Sequence, residues 1–276
     1  MVDSSDKRTT GGRTHPGREL DTAKMPGHWL LARLGKRVLR PGGLGLTHRM
    51  LEVLDIQSSD EVVEFAPGLG TTARMTLAKS PAAYAGVERD EAAARRVRGY
   101  LNGPGQRCLV GDAEKTGLPD VSSTVVYGEA MLTMQRPPQK RRIVGEACRV
   151  LRPGSRYGIH ELCLVPDDLS EDVKDEIQRE LSGMIHVGAR PLTPSEWRGL
   201  LESEGFEVGA ESLAPMHLLE PRRLIQDEGL AGALRFGRNV LRDAEARKRV
   251  LAMRKVFRRY RDHLAAIALV GVKPGG

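Results

Sequence analysis

Between residues 60 and 165, short apolar runs alternate with helical patterns, and this alternation constrains the fold more than any other feature of the chain. Residues 61–65 read as a strand, 71–79 as a helix, 83–87 as a strand and 90–100 as a helix. Strands follow at 107–110 and 124–127, then a helix at 138–151 and a fifth strand at 156–164. Strands alternating with helices at this pitch form a parallel sheet with helices on both faces, joined by right-handed crossovers. Past the fifth strand the rhythm changes. A charged helical segment spans 166–185, and a helix spans 194–204 with Thr193 or Ser195 as its cap. A strand runs from Phe206 to about Leu219, then a basic helical stretch covers 221–262 and a last apolar strand 265–272.

The 276 residues suffice for one large domain or a domain with a sizeable insert. Aromatic residues make up only 4%, so the core must come from Leu, Val, Ile and Ala. Residues 1–25 have almost no large apolar groups and read as a disordered basic tail. The rest, 26–276, reads as a single domain. It divides into N-terminal cap helices at 26–56, a core at 57–165, a lid and sixth strand at 166–220, a helical insert at 221–262 and a last strand at 263–273. In the cap, His28 to Arg40 form one basic amphipathic helix stopped by Pro41-Gly42-Gly43, and Thr47 to Leu54 a second.

Charge is uneven. Residues 1–50 carry ten Lys/Arg against four Asp/Glu, and 221–276 fourteen against five, so the part between is net acidic. Basic ends can attract nucleic acid, anionic lipid or an acidic substrate, or simply solvate helix faces. Cys108, Cys148 and Cys163 form no C-x-x-C pair, and no histidine cluster accompanies them, so no metal site is expected. No apolar run reaches about 18 residues and the first 20 contain no signal-peptide core. These features together point to a cytoplasmic protein.

The first strand ends in Glu64-Phe65-Ala66-Pro67-Gly68-Leu69-Gly70. Glycines where a strand turns into its helix let a ligand approach the backbone closely. The helix N-terminus at Gly70-Thr71 offers free N–H groups to a carboxylate. Glu88, ending the second strand, can accept from both hydroxyls of a ribose. Gly111-Asp112-Ala113, after the third strand, can meet an adenine, although Asp112 could equally cap the turn that follows. Each signal alone is weak. In this order, at successive strand ends, they describe a site for S-adenosylmethionine.

Here the chain resembles the class I S-adenosylmethionine-dependent methyltransferases, and within them the ubiquinone/menaquinone-type small-molecule branch. The resemblance rests on 62–70, Gly86-Val87-Glu88, Gly111-Asp112-Ala113-Glu114, Glu146 to Gly154, and Pro191-Leu192-Thr193 with Trp197 through Phe206. It covers roughly 45–220 plus the last strand. It implies a Rossmann-like seven-stranded, mostly parallel sheet flanked by helices, the last strand antiparallel, with the helical insert before it. It implies that Glu64, Ala66, Gly68 and Gly70 face the methionine end, Glu88 the ribose, and Asp112 and Ala113 the adenine. Gly128 and Glu129 would lie nearest the methyl group. The family usually has glycine where this chain has Ala66, which is accommodated only if its φ stays negative.

Two residues are candidates for chemistry. Glu129 could line the pocket, act as a base, or bond the loop. His186 lies in a segment that could fold over an acceptor, though a lone histidine is more often structural or exposed. His160, inside the fifth strand, reads as a packed residue, and Met131 and Met134 as apolar wall. Val250, Met253, Phe257 and Tyr260 form a stripe in the insert, which is expected to pack with helix 28–40 and roof the acceptor pocket. The expected reaction moves a methyl group by in-line displacement to a small-molecule acceptor. An RNA methyltransferase is the first alternative. The basic ends favour it, but Tyr127-Gly128-Glu129-Ala130 stands where the rRNA adenine dimethylases carry a base-stacking Asn/Asp-Pro-Pro-Tyr-like motif. A non-catalytic adenosylmethionine-binding protein is the second. An NAD-binding oxidoreductase shares the glycine logic but would need a nicotinamide site and another strand order.

Overall fold

A computed structural model describes residues 21–275. Seven strands form one sheet in the order β3-β2-β1-β4-β5-β7-β6. They are β1 Glu61–Phe65, β2 Ala83–Glu88, β3 Gln106–Val110, β4 Ser123–Glu129, β5 Leu151–Leu164, β6 Glu207–Pro215 and β7 Leu264–Val272. The first five pair in parallel, and β7 runs antiparallel to both β5 and β6. This is the expected Rossmann-like architecture with its reversed last strand. The order changes direction between β1 and β4, where both crossovers leave the sheet and a crevice opens at the strand ends.

Both faces of the sheet are covered. On one, α5 (Pro137–Val150) and α7 (Pro194–Ser203) bury Ile143, Val144, Trp197 and Leu201 against Val63, Phe65 and Val126. On the other, α2 (Gly43–Leu54), α3 (Thr71–Leu77) and α4 (Glu91–Arg98) cover Val62, Tyr84, Val125 and Tyr127. Thr193 caps α7 as expected: Glu196 Oε2 accepts its N–H at 2.8 Å, completing a capping box. A third apolar cluster joins α1 (Gly27–Arg33), α6 (Glu171–Ile185), α8 (Pro221–Arg242) and α9 (Ala244–Arg259) above the strand ends.

Several boundaries differ from the sequence reading. Of the tail expected over 1–25, residues 1–20 lie outside the described residues, while Met25 is wholly buried in the third cluster. The helix expected from His28 to Arg40 stops at Arg33, and 36–42 run as a loop. The cause lies far away in the chain. Glu228 of α8 accepts the backbone N–H groups of Arg37 at 2.7 Å and Val38 at 2.9 Å, donors that a helix would have needed for itself. The second helix begins four residues early, at Gly43. The basic stretch is two helices, separated at Asp243, which caps α9 through Ala246 N–H; the first is kinked at Gly229.

Candidate functional site

The crevice at the β1/β4 switch opens into a cavity of about 700 Å³. One part of its wall consists of strand ends and the turns that follow them. Ala66 and Gly68 after β1, Glu88 ending β2, and Asp112 and Ala113 after β3 all face it. A Cβ built on Gly68 would meet nothing nearer than Ala66 O at 3.9 Å, so the space beside that backbone is kept clear for something else. Gly68 N–H donates to Glu88 Oε2 and Asp90 N–H to Glu88 Oε1, each at 2.9 Å. Burial raises the Glu88 pKa, against the pull of those N–H groups. Each carboxylate oxygen still has a lone pair for a ribose hydroxyl. Asp112 is exposed and accepts Glu114 N–H at 2.9 Å, so it caps the turn and lines the cavity at once.

Three residues expected at this wall stand elsewhere. Gly70 faces α4, where a Cβ would come within 2.7 Å of the Tyr100 ring; its small size lets helix and loop pack closely. Glu64 points into the sheet's other face, accepting from Tyr84 Oη at 2.6 Å and Tyr127 Oη at 2.9 Å. Full burial lifts its pKa to about 7, against the two tyrosine donors. Gly128 is buried mid-sheet between Phe65 and Ile159. The condition set for Ala66 also fails: its φ is +52°, in the left-handed region that an alanine adopts at a cost of about 1–2 kcal/mol.

Glu129 is at the cavity, and its surroundings decide what it can do. Sheet register sets it opposite His160, whose Nδ1 lies 2.8 Å from Oε1. Thr47 Oγ1 donates to the same oxygen at 2.6 Å, Thr72 Oγ1 donates to Oε2, and Arg40 Nη1 lies 3.2 Å from Oε2. Burial alone would raise its pKa, but Arg40, His160 and the hydroxyl overcome that and hold it near 2. A carboxylate so stabilised is an anchor and a poor base. His160 is the packed strand residue expected, its other nitrogen 2.6 Å from Pro41 O. His186 is not at the cavity: it ends α6 in the left-handed conformation (φ +56°) with its side chain exposed, while Ile185 and Val187 on either side line the wall.

Two functional candidates were not legible in the sequence. Arg40 is 8% exposed and lines the cavity, yet its Nε and Nη2 have no partner among the described residues. A buried guanidinium with two idle donors beside the glycine loop suits a carboxylate. No local pattern marks it, because Asp227 and Glu228 of α8 shape its loop. His28, packed on Trp29 with ring centroids 4.7 Å apart, also lines the wall, and burial lowers its pKa to about 4 despite nearby Asp90.

Most of the rest of the wall is apolar, with Thr133, Gln135 and Gln139 as polar exceptions after β4. Leu31 of α1, Leu181 of α6, Met216 and Leu218 ahead of α8, and Met253 and Phe257 of α9 close over Met131 and Leu162. Glu161 fixes the Met131 side, accepting N–H groups of Met131, Leu132 and Thr133 at 2.7–3.0 Å. The open space at Gly68, the Glu88 carboxylate at the end of β2 and the idle Arg40 donors are the groups that an amino-acid carboxylate and a ribose require, so the residues present fit S-adenosylmethionine.

A family model described as a methyltransferase domain matches residues 62–154. An uncharacterized protein of Haemophilus influenzae is 34% identical over 90% of this chain and 98% of its own. The 27-O-demethylrifamycin SV methyltransferase of Amycolatopsis mediterranei is 26% identical, the match spanning 59% of each protein. Among solved structures, a Haemonchus contortus phosphoethanolamine N-methyltransferase 2 in complex with phosphomonomethylethanolamine and S-adenosylhomocysteine superposes with a TM-score of 0.67. It is 14% identical, and the match covers 90% of this chain and 57% of that one. At that identity the likeness concerns the fold.

Proposed function

The chain belongs to the class I S-adenosylmethionine-dependent methyltransferases, and from that premise we propose that it methylates a small, largely apolar acceptor held beneath α1, α6 and α9. The observation that carries this reading is the division of the cavity into a polar wall at the strand ends and an apolar wall roofed by helices. S-adenosylmethionine supplies an electrophilic methyl group on a sulfonium. By this reading Arg40 Nε and Nη2 hold its carboxylate beside Gly68, Glu88 takes the ribose hydroxyls, and Asp112 and Ala113 border the adenine. Ala66 lies along the methionine end.

Glu129 keeps Arg40 in place, and a carboxylate so stabilised is too weak a base to serve the transfer. The apolar roof excludes water and orients the acceptor, and alignment can supply most of the rate when the acceptor lone pair is already free. The named relatives that fit this reading include a methyltransferase of a small natural product. Cys108, Cys148 and Cys163 are free thiols, which suits a reducing, cytoplasmic setting.

The test is incubation of the protein with isotopically labelled S-adenosylmethionine and a metabolite extract, followed by mass spectrometry. Label should enter small apolar compounds, and Arg40→Ala should abolish the signal. Label found only in RNA or protein would remove the small-molecule reading while leaving the family intact.

A further inference from the structure

The insert does more than roof the cavity. Beyond the kink at Gly229, α8 continues as a regular helix over residues 230–242, about 20 Å long. Leu230, Leu234 and Leu241 lie on it within about 40° of one another. They are 63%, 66% and 69% exposed, the largest exposures of any large hydrophobic among the described residues, and Leu251 of α9 follows at 56%. Isolated exposed leucines need no explanation, but a stripe of them on one helix does.

The cations are placed to match. Arg235, Arg238 and Arg242 follow the leucines around the exposed side of α8, and Arg247, Lys248 and Lys255 surround Leu251 on α9. None of the six has an acidic partner among the described residues, whereas Arg254, Arg258 and Arg259 nearby are taken up by Glu220, Glu176 and Glu180. Acids are scarce here. Asp243 is committed to Arg33 and to capping α9, and Glu245 is the one exposed carboxylate between 229 and 257. The turn between the helices is tight, with Arg247 Nη1 donating to Leu241 O at 3.0 Å, so leucine and cations meet at the hairpin tip.

We propose that the α8–α9 hairpin docks on an anionic lipid bilayer, with Leu230, Leu234 and Leu241 in the acyl boundary and Arg235, Arg238 and Arg242 on lipid phosphates. An interfacial helix carries this combination, an apolar stripe beside a cationic one, without being long and apolar enough to span. Charge selects this occupant. A second copy would set its own arginines against these, and a nucleic acid would pair the arginines but leave the leucines in water. The opposite face of α9 places Met253 and Phe257 in the cavity wall, so docking would bring that wall against the membrane. The surface stands on its own residues and not on the identity of the acceptor.

Co-sedimentation of the full chain with vesicles tests it. The protein should pellet with phosphatidylcholine vesicles that contain phosphatidylglycerol, should not pellet with phosphatidylcholine alone, and should be released by salt. Replacing all three leucines (Leu230→Gln, Leu234→Gln, Leu241→Gln) should weaken partitioning by about tenfold or more. The charge variant (Arg235→Glu, Arg238→Glu, Arg242→Glu) should weaken it at least as much. These side chains are exposed, so calorimetric S-adenosylmethionine binding should be unchanged in both and confirms folding. The proposal is overturned if the chain ignores anionic vesicles or if either variant partitions as the parent does. It is equally overturned by a dimer that the leucine variant converts to monomer, or by RNA duplex binding in place of vesicle binding that only the charge variant loses.

Discussion

The two walls of the cavity are built by different physics. The strand-end wall is set by backbone. Sheet register places Glu129 opposite His160, and Gly68 and Asp90 N–H groups aim the Glu88 carboxylate. The helical wall is set by side-chain packing from segments distant in sequence, and four methionines are among the cavity's lining residues: Met131, Met134, Met216 and Met253. A wall fixed by main-chain hydrogen bonds suits a ligand that does not vary. A wall of flexible, unbranched side chains can be reshaped by substitution without disturbing the sheet. By the proposed reading the first wall recognises the cofactor and the second selects the acceptor.

The sharpest test of the first wall is Glu129→Ala. It leaves Arg40 and His160 buried without their anion, so chemical denaturation should show a loss of about 3–5 kcal/mol. A loss under about 1 kcal/mol would mean that the cluster tolerates an unpaired cation and is not the anchor described here. The next effect separates the walls. Glu88→Ala removes an acceptor that both orders the loop and faces the cavity, and should weaken S-adenosylmethionine binding by about 10- to 100-fold in calorimetry. Phe257→Ala, on the roof, should leave that affinity within error while lowering methyl transfer to whatever acceptor is found. Equal effects of the two on cofactor affinity would break the division. The smallest effect is at Ala66→Gly. It relieves a left-handed alanine but adds chain entropy, so thermal unfolding should show a gain of up to about 1 kcal/mol.

Legibility in the sequence follows the same division. Strand–helix alternation, the glycine loop and the acids at strand ends are local signals, and they place the sheet, Gly68, Glu88, Asp112 and Ala113 at one crevice. What failed was orientation. Period-two reasoning does not say which face of β1 carries Glu64, and the tyrosines that claim it come from β2 and β4. A glycine at 70 suggests ligand approach, but the neighbour it admits is Tyr100, just past the end of α4. His186 lost its place because α6 ends one residue before it, and a left-handed cap turned it outward. Arg40 is hidden for a different reason: a helical pattern over 28–40 is real in the residues, but Glu228, in a helix far along the chain, takes the N–H groups that it would need.

That last contact has a consequence for the order in which the protein is made. Lys36 lies wholly buried within 4 Å of Asp227 and Glu228, and Leu44 N–H donates to Asp227. Segment 36–44, with Arg40 in it, takes its shape only once α8 exists. On a ribosome the glycine loop and its sheet neighbours emerge well before α8, the helix that sets the arginine beside them. Until residues 227 and 228 have been added, the loop that carries Arg40 lacks the carboxylates that shape it, so the glycine loop precedes its arginine in the order of synthesis.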